Sequence, residues 1–386
     1  MAPVNVLIVG AGAAGVSIAH SLLQEVPNAK VVLVNPSQTF YWNIASPRIV
    51  VKPKAFKPEQ YLLPIKNAFT QYSAESFEFV AGTATAIDVA TKTVSVTPNG
   101  SADSKSLPYD HLVIASGSTT PSTTGAVTGI SIPFKPSNRD DIKEIVEAAQ
   151  QQIANAKKIV IGGAGPIGVE LAGELAEELG SKATITLISS ADRVLPMLKP
   201  SGSSAGEKLL KQKKIKIITS TKVTGAEAST DGTKSWTVSL DNGKKLPADL
   251  YIPTTGSIPN SGFIPTEFLD KDGWVKVNNE LRVQSSGGSA LPIYAVGDIN
   301  TNTMRLTYKA TEQAKVAFAN IKADILGQGE RKSYEQGDSI MMVVPVGESG
   351  GTGQVFGITP FGFIVKFAKG RDYLVPKAPQ YLAGKA

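Results

Sequence analysis

Apolar positions along the chain twice repeat one order: a short continuous run, a glycine-rich break, then a longer run at helical spacing. The first block opens with Val4-Asn-Val-Leu-Ile-Val9, breaks at Gly10-Ala-Gly12-Ala-Ala-Gly15, and continues as an expected helix over 13–25 and an apolar run at Lys30-Val-Val-Leu-Val34. The second opens with Lys158-Ile-Val-Ile161 and breaks at Gly163-Ala-Gly165-Pro-Ile-Gly168. An expected helix over 167–179 and an apolar run over 183–188 follow it. Continuous Val, Leu and Ile without alternation suit parallel strands covered on both faces, so each block predicts a βαβ unit.

The rest of the pattern arranges itself around these units. Phe77-Glu-Phe-Val80, 83–89 and Thr93-Val-Ser-Val96 predict an antiparallel excursion with a polar turn at Pro98-Asn-Gly100. A buried strand is expected over 109–115, a Ser/Thr/Pro connection over 118–124, and a helix over 138–155. After the second unit come a strand at 215–218 and a hairpin-like stretch from Ser235 past the Asp241-Asn-Gly243 turn. Ile293-Tyr-Ala-Val-Gly297-Asp298 and an expected helix over 306–326 return to the first unit. The segments 340–344, 353–356 and 362–367 are rich in β-formers and glycine. The order predicts an α/β fold: two Rossmann-like dinucleotide-binding domains, the second inserted in the first, and a small C-terminal α+β domain. The expected boundaries are 1–122 and 257–331 for the first domain, 123–256 for the second and 332–386 for the last.

Composition narrows the chemistry. At 386 residues, 42% hydrophobic and 19% charged, the chain suits a globular protein of two or three domains. The net charge of +6 favours anionic cofactors or acidic membrane surfaces, but the 39 Lys and Arg are scattered, so no nucleic-acid partner is expected. The absence of cysteine excludes disulfides, thiolate metal sites and a Cys-x-x-Cys redox pair. Only His20 and His111 are present, both expected to be structural, so no metal site and no Ser-His-Asp triad is expected. Any electron path must therefore run through bound cofactors. No stretch reaches ~18 apolar residues. The N-terminus lacks a basic leader, and Ala2 stands where myristoylation needs glycine. The expected location is cytoplasmic, with peripheral membrane contact left open.

In each glycine break the first glycine permits a tight turn, the second lets a pyrophosphate approach the backbone, and the third lets helix and strand pack closely. Asn35 stands at the strand end where an adenosine diol usually meets an acid; it can still hydrogen-bond a hydroxyl. The second unit has Ser189 and Ser190 there, with Arg193 nearby, a set that suits a 2′-phosphate and leaves NADPH at least level with NADH. Asp298 ends a strand, where it either meets a ligand hydroxyl or caps a helix. Glu170 is either a surface acid stabilised by the helix dipole or a group that orders a nicotinamide.

Together these motifs resemble the two-dinucleotide-binding-domain flavoproteins, the glutathione-reductase-like or pyridine nucleotide-disulfide oxidoreductase superfamily, over essentially the whole chain. The missing cysteine pair separates the chain from the disulfide-reductase branch. Gln38-Thr-Phe-Tyr-Trp-Asn43-Ile-Ala-Ser-Pro-Arg48, the stretch from Gly163 to Glu170, Gly350-Gly-Thr-Gly-Gln354 and Lys369-Gly-Arg-Asp372 are similar to segments of the apoptosis-inducing-factor-like, ferroptosis suppressor protein 1 family. That resemblance implies an FAD enzyme that oxidises NAD(P)H and reduces quinones such as ubiquinone and menaquinone. It places FAD on Gly10, Gly12, Gly15, Arg48 and Asp298, and NAD(P)H on Gly163, Gly165, Gly168 and Glu170. It also puts Tyr308 near the isoalloxazine and Lys369 at the flavin edge, which makes Glu170, Lys369 and Tyr308 the expected catalytic set. Asn35, the missing myristoylation signal and the tail with Pro376, Lys377 and Pro379 depart from the family pattern. Two rivals remain: an NAD(P)H reductase for a small redox protein or specialised metabolite, and a binding or signalling flavoprotein of slow turnover.

Overall fold

The computed structural model describes residues 3–229, 235–285 and 291–385; Met1, Ala2 and Ala386, on which the reading of the termini rests, lie outside them. Val6, Leu7 and Ile8 are fully buried on an interior strand of a seven-stranded sheet. Its order is Ile293–Ala295, His111–Ile114, Val4–Val9, Ala29–Asn35, Phe77–Asp88, Thr93–Pro98 and Lys105–Pro108. The first five strands run parallel and the last two pairings are antiparallel. Apolar clusters cover both faces: helices Ala13–Glu25 and Thr307–Leu326 pack on one, and residues such as Ile264, Phe268 and Val275 lie on the other. This is why the strands show continuous rather than alternating hydrophobicity.

A second, four-stranded parallel sheet runs Lys216–Ile218, Thr184–Ile188, Lys158–Gly162, Leu250–Pro253, beside a three-stranded antiparallel sheet formed by Val223–Ala228, Trp236–Leu240 and Lys245–Ala248. The C-terminal region adds a hairpin, Met342–Pro345 with Gly351–Gln354, and the short helices Gly362–Val365 and Ala378–Leu382. The architecture is thus α/β, with two Rossmann-like regions and a smaller C-terminal α+β region. Ile293–Ala295 rejoins the first sheet after the second region. The two connections between the regions also meet: Ser118–Thr119 pairs antiparallel with Ile258–Pro259.

Three elements differ from expectation. The two strands expected around Gly82 are one strand, Phe77–Asp88, which leaves its parallel partner after Ala81 and takes an antiparallel one from Gly82, with an irregularity between Ala84 and Ala86 in the second pairing. The helix expected from residue 138 starts at Ile142, because Asp140 is bound to the Gln38 N–H and the Ser37 hydroxyl. The apolar stretch 362–367 is not β. Gly351–Gln354 takes its one partner from Met342–Pro345, and the stretch coils into Gly362–Val365 and a π-turn, Lys366–Gly370.

Candidate functional site

Both glycine loops sit at the C-terminal end of a strand flanked by neighbours reached in opposite chain directions, the crevice in which α/β sheets bind ligands. Gly10 has φ +112° and Gly163 φ +120°, a backbone region that favours glycine. A Cβ at Gly10 would collide with the Ala115 carbonyl, and one at Gly15 with the Gly10 carbonyl. In the second loop a Cβ at Gly163 would meet Thr254 and Thr255, and one at Gly168 the Gly163 carbonyl. The middle glycines behave differently. A Cβ on Gly12 or Gly165 would meet nothing within 4 Å. Each of these is also the N-cap of its helix, with no side chain bonded to the first-turn amides. Both loops therefore present bare backbone and an uncapped positive helix end to open space, which suits a pyrophosphate.

A cavity of about 570 Å³ opens on the first loop, a size suited to a cofactor. Gly10, Gly12, Asn35 and Asp298 line it, while Gly15 stays behind the loop as a packing residue. Asn35 Oδ1 accepts from the Ala11 N–H at 3.0 Å, and its Nδ2 donates to the Ser37 carbonyl at 2.7 Å. Asn35 thus braces the loop as well as lining the cavity. Asp298 is no helix cap: its Oδ2 accepts from the Ser118 hydroxyl at 3.0 Å and is in contact with Lys135 Nζ. Lys135, which also lines the cavity, comes from a Pro-rich connection without periodic pattern, so nothing in the sequence pointed to it. Behind Asp298, the fully buried Gln313 side chain accepts from the Gly297 N–H at 2.7 Å and fixes the turn.

Gly163, Gly165, Gly168, Ser189 and Arg193 lie outside that cavity. Ser189 is buried, and its hydroxyl donates to the Arg193 carbonyl at 2.7 Å, so it fastens the turn rather than facing open space. Arg193 Nη2 donates to the Pro196 carbonyl at 3.0 Å.

The expected catalytic set divides. Glu170 is not a surface acid. It is buried, and Lys369 Nζ donates to its Oε1 at 2.6 Å across 199 residues of chain. Burial pushes the Glu170 carboxyl above its ordinary range, and the Lys369 cation pulls it partly back. The structure does not place Tyr308 with them: its hydroxyl accepts from the Met341 N–H at 3.4 Å. None of the three lines the cavity.

Arg48 does not line the cavity either. It is 2% exposed and spends its guanidinium inside the protein. Its Nε and Nη2 donate to Glu174 at 3.0 and 2.7 Å, and Nη2 and Nη1 donate to the carbonyls of Gly370 and Arg371 at 2.8 Å. The Tyr373 ring lies beneath it at 4.7 Å. Lys52 also reaches Glu174, at 3.0 Å. Arg48 thereby anchors the π-turn that carries Lys369.

His20 is buried against Phe69, with Tyr72 and the Leu382 carbonyl on its ring nitrogens, and burial holds its pKa below the ordinary value. Among the described residues no group of three His, Cys, Asp or Glu is placed to hold a metal ion, and no helix is long and apolar enough to cross a membrane.

The family model for pyridine nucleotide-disulphide oxidoreductases matches residues 4–314. Oxidoreductase ptaL of Pestalotiopsis fici is 36% identical, with 98% of this chain and 99% of the relative covered. Ferroptosis suppressor protein 1 of Xenopus tropicalis is 29% identical over 97% of this chain and 95% of its own. Among solved structures, the sulfide:quinone oxidoreductase of Aquifex aeolicus superposes with a TM-score of 0.77 at 19% identity, covering 99% of this chain and 92% of that one. The chain that matches in the putidaredoxin reductase–putidaredoxin complex is 26% identical, with a TM-score of 0.68 and coverage of 89% and 79%. With two glycine cradles on two Rossmann-like regions, the chain belongs to the pyridine nucleotide-disulphide oxidoreductase family, as an FAD- and NAD(P)H-using oxidoreductase akin to ferroptosis suppressor protein 1.

Proposed function

We propose that the chain oxidises NAD(P)H and passes two electrons, by way of FAD, to a quinone-type acceptor. The observation that carries the reading is a pair of open glycine cradles in a chain that has no cysteine. With no thiol relay to reduce, the electrons pass from the flavin directly to the acceptor. Gly10, Gly12 and Gly15 shape the cradle for the FAD pyrophosphate, and Asn35 keeps that loop in register. Asp298, held by Ser118 and Lys135, presents a carboxylate to ligand hydroxyls. Gly163, Gly165 and Gly168 form the NAD(P)H cradle, where Arg193 is the cation available to a 2′-phosphate. Bound FAD supplies the two-electron relay between nicotinamide and acceptor.

The protein's own part is position and charge. Glu170 Oε1 holds the Lys369 ammonium between the second region and the C-terminal turn, so one hydrogen bond joins the nucleotide side to the acceptor side. Lys369 is the cation and proton donor assigned to the reduced acceptor.

The visible spectrum of the purified protein tests this. A flavin spectrum should bleach on NADPH addition and recover with a soluble quinone. Glu170→Gln should slow the bleaching and Lys369→Ala the recovery, each on the order of tenfold to a hundredfold. No flavin spectrum, or no recovery with any quinone, would overturn the reading. Recovery with an iron–sulfur protein instead would favour the second reading, a reductase for a small redox protein. The identity to the reductase bound to putidaredoxin recommends that rival.

A further inference from the structure

The wall of the cavity on the first glycine loop carries three charged residues, and two of them are already matched. Lys135 and Asp298 are in contact with each other, whereas Arg305 has no charged partner among the described residues. Its Nε is buried without a hydrogen bond. The guanidinium lies instead over the Trp274 ring, its carbon 3.7 Å from the ring centre. The Arg305 backbone is held in the left-handed region at φ +57°, its N–H donating to the Thr303 hydroxyl at 3.1 Å. An unpaired cation fixed at a strained position on a cavity wall calls for a ligand group that is, or becomes, negative.

The sheet order decides which part of FAD meets it. Asn35, on the adenosine side, ends the strand Ala29–Asn35, and the first glycine loop follows its neighbour Val4–Val9. Asp298 and Arg305 follow the edge strand Ile293–Ala295, which lies three strand spacings from Ala29–Asn35, or ~14 Å. Trp274 stands on that side too, since Val275 bridges to Asn300. With the pyrophosphate on the loop between the two ends, the isoalloxazine falls to the Arg305 end. Hydride from NAD(P)H brings two electrons and one proton, so the ring that accepts it gains one negative charge while the nicotinamide becomes a cation. We propose that Arg305 meets the isoalloxazine and stabilises that charge, which raises the reduction potential of the flavin. The assignment rests on FAD occupying this cavity and does not depend on which acceptor the enzyme reduces.

Reductive titration of the full-length, FAD-loaded protein against a reference dye tests it, at saturating FAD and with FAD affinity measured separately. Arg305→Met should bind reduced flavin about tenfold to hundredfold more weakly relative to oxidised flavin, the worth of a hydrogen bond to a charged group. For a two-electron couple that lowers the potential by about 30–60 mV. Arg305→Lys, which keeps the charge, should recover most of the shift. Because Arg305 has no charged protein partner, neither substitution strands a buried carboxylate. A potential unchanged in Arg305→Met, or lowered equally in both variants, would overturn the proposal. An equal loss of affinity for oxidised and reduced flavin would assign Arg305 to the pyrophosphate, and a raised KM for the acceptor alone would assign it to the acceptor. Either result overturns the isoalloxazine contact. A chain that takes up no FAD would overturn it together with the FAD site itself, and would show as a missing flavin spectrum rather than as an unmoved potential.

Discussion

Gly12 and Gly15 lack a side chain for opposite reasons. At Gly15 a methyl group would strike the Gly10 carbonyl, so the residue is required by the fold. At Gly12 a methyl group would meet only open space, so the residue is required by whatever fills that space. Gly12→Ala should therefore leave the melting temperature of the flavin-free protein nearly unchanged while weakening FAD retention about tenfold to a hundredfold. That is the worth of one or two charge-assisted backbone hydrogen bonds. Flavin absorbance after gel filtration, set against the melting curve of the stripped protein, separates the two effects. An equal loss of stability in the stripped protein would refute the distinction. The glycines were legible in the sequence because their conformational demand is local. Lys135 was not, because its partner Asp298 lies 163 residues away and no spacing rule links them.

At the scale of elements, the short helix Ser46–Val51 belongs to the first region in sequence yet packs on the second. It lies against Pro166–Leu179 and Ile142–Asn155, and Val50 and Val51 sit in the same apolar cluster as Leu171 and Leu175. Arg48 extends that contact into the C-terminal turns through Glu174, Gly370 and Arg371. Arg48→Met leaves the buried Glu174 with Lys52 alone for a cationic partner among the described residues, a loss that costs up to about 3 kcal/mol. Denaturant unfolding should show that loss in flavin-free and flavin-loaded protein alike. A loss confined to the loaded form would return Arg48 to the flavin. Arg48→Lys should recover little, since an ammonium cannot span the carboxylate and two carbonyls as a planar fork does. The helices and parallel strands of both units were readable because their hydrophobic runs are long and covered on both faces. The stretch 362–367 misled because apolar content alone does not specify β: short of a strand partner it coils into Gly362–Val365 and Lys366–Gly370.

For the whole molecule, the cavity draws its walls from widely separated parts of the chain: the first loop, the connection around Ser116–Ser118, Lys135–Asn138, Asn260 and Asp298. A ligand there holds both crossings between the regions to the first sheet. Removing FAD should therefore destabilise more than the flavin pocket. Restoring it at a thousandfold excess over its dissociation constant is worth about 4 kcal/mol if the unfolded chain binds none. Limited proteolysis of stripped protein should then cut within 116–138 or 256–263, and added FAD should suppress those cuts. Cleavage elsewhere, indifferent to FAD, would refute the coupling.

The pairing of Ser118–Thr119 with Ile258–Pro259 gives the insertion a simple topological meaning. Chain enters and leaves the second region at adjacent points, so to the first sheet that whole region is the loop of one long hairpin whose stem is two residues wide. A host that sees only a stem tolerates large changes in what hangs from it. The nucleotide-binding region can therefore alter its preference or its length while the first sheet keeps every neighbour it has, provided the Ser46–Val51 helix still finds a surface to pack on.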